Sequence, residues 1–350
     1  MVTIKDVARE AGVSVATVSR VYNGSRLVRE ETSRQVRAVA ARLGYVPHGG
    51  ARSLSTRRTN TIGVLLPDLF GEFFSEVIRG IDQAAQRRSY HVLVSSSHNQ
   101  RSDIVAALRS MRGRVDGLIV MSPEMDAQAA ADNLPARFPV VLLNCRGASE
   151  RFDTITIANF EGARAMVRHL VGLGHRRIAL INGAPGNFDA VERRRGYRAA
   201  LREAGVDPDP RWELPGDFRE ESGFRAARAL LGLDPRPTAV FAANDSMAVG
   251  ALSALREAGV RVPEDVAVAG FDDIPMARYL DPPLASVRVD ISALGERATL
   301  RLFEAMEEGA EHRPRHETLP TSLVPRRSCG GEAPVAAGGA GAGGREPHHV

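Results

Sequence analysis

Val2-Thr3-Ile4-Lys5-Asp6-Val7-Ala8-Arg9-Glu10-Ala11-Gly12-Val13-Ser14-Val15-Ala16-Thr17-Val18-Ser19-Arg20-Val21-Tyr22-Asn23-Gly24 is the stretch on which the reading of this chain turns. Thr3 is placed to cap a helix, and Asp6 completes a capping-box pair. Ile4, Val7, Ala8 and Ala11 follow at the spacing of a single helical face. Gly12 breaks that helix. Ser14 is placed to cap a second one, about Val15–Tyr22, which Asn23-Gly24 ends and from which Val18 and Val21 point inward. A third helix is predicted near Glu30–Leu43, with Val36, Val39, Ala40 and Leu43 on one face and Gly44 just past its end. Its start is weaker, because Arg29 stands where a Ser or Asp would cap best. Two short helices joined by a glycine-containing turn and braced by a third form a helix-turn-helix.

Working outward, charge separates this segment from the rest. The 350 residues carry a net charge of +4, but residues 1–60 hold eleven basic and four acidic groups while the remainder is net −3. A positive arm on a near-neutral body is the footprint of polyanion binding. The chain length allows two or three domains. No apolar run reaches the roughly 18 residues of a membrane span, and no secretory signal is visible behind Met1. Cys145 and Cys329 are the two cysteines, too few for a disulfide framework or a cysteine-based zinc site. A cytoplasmic setting with reduced thiols is the expectation.

The quoted stretch closely resembles the headpiece of the lac repressor (LacI/GalR) family of bacterial transcription regulators. Leu43-Gly44-Tyr45-Val46-Pro47 and Ala51-Arg52-Ser53-Leu54 are similar to that family's helix-three exit and hinge. The resemblance implies a headpiece over residues 1–47 and a hinge over 48–59 that becomes helical on operator DNA, with Leu54 wedging into a central base step. A wedge of this kind is least costly at a flexible pyrimidine–purine step. Gly49 and Gly50 depart from a helix-forming sequence, each at about 1 kcal/mol relative to Ala, so a hinge unstructured without DNA is expected. The competing reading is a plain flexible linker.

The chemistry at these positions fits. Arg20 on the second helix is suited to bidentate bonding to guanine O6 and N7, whereas Val15 and Ala16 offer only packing against a base edge. Ser19 shares their face. Ser14, Thr17 and Asn23 are small polar groups near helix ends, suited to phosphates that set register. Arg52 and Leu54 complete the expected DNA-binding set.

Beyond residue 60, apolar runs alternate with helical patterns. Strands are predicted at Thr61–Leu66, His91–Ser95, Gly117–Met121, Val140–Asn144, Thr154–Ile157, Ile178–Ile181, Ala239–Ala242, Val266–Ala269 and Ser286–Val289. Helices include Glu72–Arg88, Phe160–Leu173, Ala190–Ala204, Glu221–Leu231 and Ser246–Ala258. This alternation means parallel sheets covered by helices on both faces. The body also resembles the family's periplasmic-binding-protein-like core of two doubly wound α/β subdomains. That implies an N-subdomain of residues 60–158 and 290–319, a C-subdomain of 159–289 and 320–328, and a disordered Ala/Gly/Pro tail over 329–350. Ligands of such sheets sit outside the carboxyl ends of the strands. By resemblance the effector residues are Phe73, Phe74, Asn144, Asp189, Arg193, Phe218, Asn244 and Asp272. Planar Arg, Asn and Asp groups grip hydroxyls or ring nitrogens, and an aromatic face covers an apolar ring. Strand-end Asn and Asp also cap helices, and Asp245 and Asp273 are read as structural; Arg194 and Arg195 are read as surface charges.

No metal-binding H-E-x-x-H, G-x-S-x-G elbow or phosphate loop occurs, so no catalytic residue, cofactor or metal is assigned. The expectation is a dimeric, effector-controlled regulator, a repressor first, on a pseudo-palindromic duplex operator, with a sugar placed ahead of a nucleobase as effector and no membrane partner. The alternatives on the same core are a solute-binding receptor and a sugar- or nucleoside-acting enzyme.

Overall fold

The structure, a computed structural model, describes residues 2–22, 27–45, 58–98, 106–107, 109–111, 113–124 and 138–331. Asn23, Arg52, Leu54 and nearly all of the expected hinge lie outside the described residues.

The first three helices are α1 (Ile4–Glu10), α2 (Val15–Tyr22) and α3 (Glu30–Leu43). Asp6 accepts the Thr3 backbone N–H at 3.0 Å, the reciprocal half of a capping box. The turn between α1 and α2 needs a left-handed residue and has one in Gly12, at φ +64°. Ser14 Oγ accepts the Thr17 N–H at 3.1 Å and so caps α2. Arg29 makes no capping bond from its side chain. Val7, Ala8, Ala11, Val18, Val21, Val36 and Ala40 bury together into a separate small core. The Gln35 amide ties α3 back to the Ala11 carbonyl.

The body contains two six-stranded sheets. The first holds β1 (Thr61–Leu66), β2 (His91–Ser96), β3 (Gly117–Met121), β4 (Val140–Leu143), β5 (Asp153–Ile157) and β11 (His316–Leu319) in the order β11-β5-β4-β3-β1-β2, all parallel. The second holds β6 (Ile178–Ile181), β7 (Glu213–Leu214), β8 (Ala239–Ala242), β9 (Ala267–Asp272), β10 (Ala285–Arg288) and β12 (Ser322–Val324) in the order β12-β10-β9-β8-β6-β7. Central strands buried along their length, such as β3, β4, β6 and β8, explain the unbroken apolar runs.

The chain passes between the sheets after β5, after β10 and after β11. The first two passages go through helices, α5 (Asn159–Gly172) and α9 (Ile291–Glu308), which return the chain to the amino edge of the next strand. The third has only Pro320 and Thr321 between strands. A chain leaving the carboxyl edge of one sheet without a helix enters the facing sheet at its carboxyl edge. β12 therefore runs antiparallel to β10, the one departure from the all-parallel expectation.

Three strands and one long helix were absent from the sequence reading. β7 spans two residues, β11 is a polar edge strand, β12 has only three residues, and α9 contains Gly295 and a charged face. Edge strands lack the apolar alternation that makes a strand legible. The packed chain also runs past residue 328: Cys329 is buried in the turn Arg327–Cys329, so the expected tail boundary at 329 moves at least to Gly331. The other helices used below are α4 (Glu72–Gln86), α6 (Phe188–Glu203), α7 (Glu220–Leu231) and α8 (Asp245–Glu257). Among the described residues no helix is long and apolar enough to cross a membrane.

Candidate functional site

On the headpiece, α2 turns Val18 and Val21 into the core and leaves Val15, Ala16 and Arg20 exposed on the opposite side. Thr17 and Ser19 are half-buried. The Ser14 and Thr17 hydroxyls lie 2.9 Å apart at the helix start. A helix N-terminus with small hydroxyls and an exposed arginine one turn and a half further on matches what a major groove requires: anion contacts at the end and a base-edge donor along the face.

The second site lies between the two sheets, at the carboxyl ends of β1, β3, β6, β8 and β9. One cavity there is lined by Phe73 and Phe74 from α4, Asp189 and Arg193 from α6, Phe218 before α7, Asn244 after β8 and Asp272 at the end of β9. Seven of the sequence-derived residues thus meet. Asn144 does not. It is buried behind the wall, at φ +51°, with its amide donating to Asp189 Oδ2 at 3.0 Å. Its side chain is spent on holding Asp189 from behind the cavity wall.

Arg193 is the hub. Its Nε donates to Asn159 Oδ1 at 2.8 Å and one terminal nitrogen donates to the Ala243 carbonyl at 2.5 Å. The other lies 3.2 Å from Asp272 Oδ1, an ion-pair distance off the line of a hydrogen bond. Its guanidinium also sits 3.7 Å from the Phe271 ring centre. Asn159 completes the network by donating to Asp189 Oδ1 at 2.8 Å. Burial drives Asp189 up to about 6 against the pull of Arg193, Asn159 and Asn144. Burial likewise drives Asp272 to about 7, opposed by Arg193 and reinforced by the Asp189 charge.

Asn144 behind the wall and Phe218 and Asp272 on it hold positive φ values of +51°, +69° and +107°. Such strain persists where the surroundings over-determine it, and it clusters at ligand sites. Phe218 shows what holds it: a Cβ on Gly183 would lie 2.1 Å from its Cζ, so the ring rests on bare backbone. Its carbonyl accepts the Asn244 amide at 3.0 Å. Asn244 Oδ1 in turn accepts the Met247 N–H at 3.0 Å, so Asn244 is a helix cap as well as a wall residue.

Sequence reasoning missed Asn159, Glu124, Asn187 and Arg219. Glu124, Asn187 and Arg219 line the cavity, and Asn159 stands behind it. Asn159 opens the helix after β5 and Glu124 follows β3, so position at a strand end was the available signal. Burial raises Glu124, outweighing the Asn187 amide beside it. Bonds cross the cleft: Arg219 pairs with Asp68 at 2.7 Å, Glu72 accepts the Met276 N–H at 3.0 Å, and the Pro123 carbonyl accepts the Phe188 N–H at 2.8 Å. Burial works to raise Asp68, but the Phe70 and Leu69 N–H groups and Arg219 outweigh it and hold it low.

Asp245 is wholly buried, accepting from Ser286 Oγ at 2.7 Å and the Ile274 N–H at 2.9 Å, and burial with the Asp272 charge raises it well above the usual range. Asp273 pairs with Arg288 and Arg326, each at 2.7 Å. Both are structural clamps. Arg195 is exposed and pairs with Glu192. Among the described residues no group of three or more His, Cys, Asp or Glu side chains converges as metal ligands do.

Comparison with known proteins matches residues 3–48 to "Bacterial regulatory proteins, lacI family" and residues 167–329 to "Periplasmic binding protein-like domain". An "HTH-type transcriptional repressor PurR" of Pasteurella multocida (strain Pm70) is 36% identical over 332 residues, 94% of this chain and 98% of that one. The chain belongs to the lacI family of bacterial regulatory proteins. It is accordingly a ligand-responsive transcriptional regulator with a helix-turn-helix headpiece and a periplasmic-binding-protein-like core. The "Ribose operon repressor" of Haemophilus influenzae (strain ATCC 51907 / DSM 11121 / KW20 / Rd) is 36% identical over 313 residues, 89% of this chain and 94% of that one. Among solved structures of the family, the lac repressor dimer bound to operator and the anti-inducer ONPF superposes with a TM-score of 0.82 at 32% identity, covering 94% of this chain and 99% of that one. A transcriptional regulator CelR–cellobiose complex gives 0.71 at 34% identity, covering 94% and 100%.

Proposed function

We propose that this regulator represses transcription as a cytoplasmic homodimer on a pseudo-palindromic operator, under control of a neutral, hydroxyl-rich effector, a sugar in preference to a nucleobase. A two-fold dimer presents two α2 helices to two half-sites, which is why palindromy follows from symmetry. Ser14, Val15, Ala16, Thr17, Ser19, Arg20 and, beyond the described residues, Asn23, Arg52 and Leu54 are its DNA-contact set.

One observation carries the choice of effector. The cavity wall has six carboxylates (Asp68, Glu72, Glu124, Asp189, Asp217, Asp272) against two guanidinium groups (Arg193, Arg219), so it is rich in acceptors and poor in positive charge. Hydroxyl groups supply the donors such a wall needs, while an anionic ligand would meet net repulsion, because both guanidinium groups are already paired with Asp272 and Asp68. Phe218, with Phe73 and Phe74 edge to face at 5.5 Å, offers apolar cover for a ring. Asp189 and Arg193 are already tied to Asn144, Asn159 and Ala243, an arrangement for holding a ligand rather than for turning one over. The relatives' names point the same way in part: one is a ribose operon repressor and one structure contains cellobiose.

Binding is coupled to DNA by unequal effector affinity for two states of the cleft. The test is a thermal-shift panel of ribose, cellobiose, other neutral sugars, hypoxanthine and sugar phosphates, followed by gel shifts on fragments from around the coding gene with each hit. A neutral sugar that raises the melting temperature and changes the gel shift supports the reading. A hit confined to phosphorylated sugars or purines refutes the choice of effector, and turnover of a hit refutes the assignment as a pure binding protein.

A further inference from the structure

We infer that Asp116 is the positioning residue through which the core aims the DNA-binding arm. The arm enters the core at Thr59 and Asn60, next to the amino edge of the first sheet and so at the end remote from the effector cleft. Asp116, the residue before β3, holds both. Its Oδ1 accepts the Thr59 N–H at 2.7 Å and the Thr59 hydroxyl at 2.8 Å, and its Oδ2 accepts the Asn60 N–H at 2.9 Å. Two carboxylate oxygens thus grip three successive donors of the incoming chain. Its own N–H returns a bond to the Thr61 carbonyl at 2.8 Å. The Asn60 carbonyl is fixed from the other side by the His91 N–H of β2, at 2.9 Å.

Between these holds Asn60 adopts a left-handed conformation, φ +49°, which bends the chain just before β1. A bend held on both sides sets a direction. The same carboxylate lies beside the Tyr90 phenol, whose ring packs 5.0 Å from Phe303 of α9. α9 is the helix that receives the chain from the second half after β10. A continuous set of contacts therefore joins the passage between the halves to the base of the arm: α9, Phe303, Tyr90, Asp116, Thr59. No residue of this set lines the effector cavity.

In the full-length protein, Asp116→Asn removes one of the two accepting oxygens and the charge, while Thr59→Ala removes one donor from the arm's side. Each is expected to weaken binding to a genomic fragment selected by the wild-type protein by about tenfold, the size of a lost charge-assisted bond. Affinity for a random duplex at low salt stays unchanged because the headpiece is intact. Trypsin cleavage after Arg57 and Arg58 accelerates, the core's melting temperature holds, and the double variant is no weaker than Asp116→Asn alone. A merely structural role would lower the melting temperature without raising cleavage at the arm. Equal losses on both duplexes, unchanged cleavage, or additive losses in the double variant overturn the proposal. Should Asp116→Asn fail to fold, Thr59→Ala carries the same comparison. The inference rests on DNA recognition by the headpiece. A wild-type protein that selects no fragment overturns that reading instead, and the cleavage assay still judges the anchor.

Discussion

Replacing Arg193 by methionine removes the hub of the cleft while keeping most of the side-chain volume. Arg193 and Asp272 have side-chain exposures of 4% and 6%, so the variant strands a carboxylate that water cannot reach. Breaking a buried pair from one side costs about 3–5 kcal/mol, which for a core of this size corresponds to roughly 6–20 °C in melting temperature. The loss is not constant with pH. Asp272 is raised in the folded protein to about 7, above its unfolded value of 3.8, so the native state binds the extra proton between these values and stability falls as pH rises through that window. Arg193 is the group that limits this rise. Without it the folded-state value climbs further and the decline continues to higher pH. Below the unfolded value the carboxyl is neutral in both states and its contribution to the penalty vanishes. Thermal melts of wild type and Arg193→Met at pH 5 and pH 8 should therefore show the larger difference at pH 8. An equal difference at both, or one under about 1 kcal/mol, would refute the reasoning that the arginine's main work is to hold a buried carboxylate ionised.

Three other outcomes are expected. Arg20→Ala should cost roughly 1–3 kcal/mol on the selected duplex and relax base preference at one position in each half-site; equal losses on selected and random DNA in gel shifts would remove its base-reading role. Gly183→Ala should push the Phe218 ring off its seat, since the new Cβ would lie 2.1 Å from Cζ; effector affinity by calorimetry should fall while operator affinity without effector persists, and unchanged effector affinity would show the ring is not a contact. Leu54→Ala should weaken operator binding and reduce DNA bending in a circular-permutation assay, and an unaltered bend would exclude the wedge.

Much of this was legible without coordinates, for local reasons. Thr3, Asp6, Gly12 and Ser14 act on their immediate neighbours, and the structure realises the capping bonds of Thr3 with Asp6 and of Ser14 with Thr17. The central strands were equally readable because burial on both faces forces unbroken apolar runs. Seven of the expected effector residues line one cavity, whereas Asn144 lies behind its wall with its amide taken up by Asp189, a placement that residue type does not reveal. Asn159 was passed over because its importance lies in bridging Asp189 and Arg193, positions 30 and 34 residues away.

The amino-acid order alone therefore determined the helix-turn-helix, the concentration of positive charge in the arm and the alternation that makes two parallel sheets. These depend on caps, turns and periodicity, which act over a few residues. Tertiary structure alone decided which way β12 runs, which buried carboxylates are drawn up toward neutrality, and that Asp116 grips Thr59 and Asn60 across 57 and 56 residues of chain. Those features arise from contacts between distant segments and from exclusion of water, and neither exists until the chain has closed on itself.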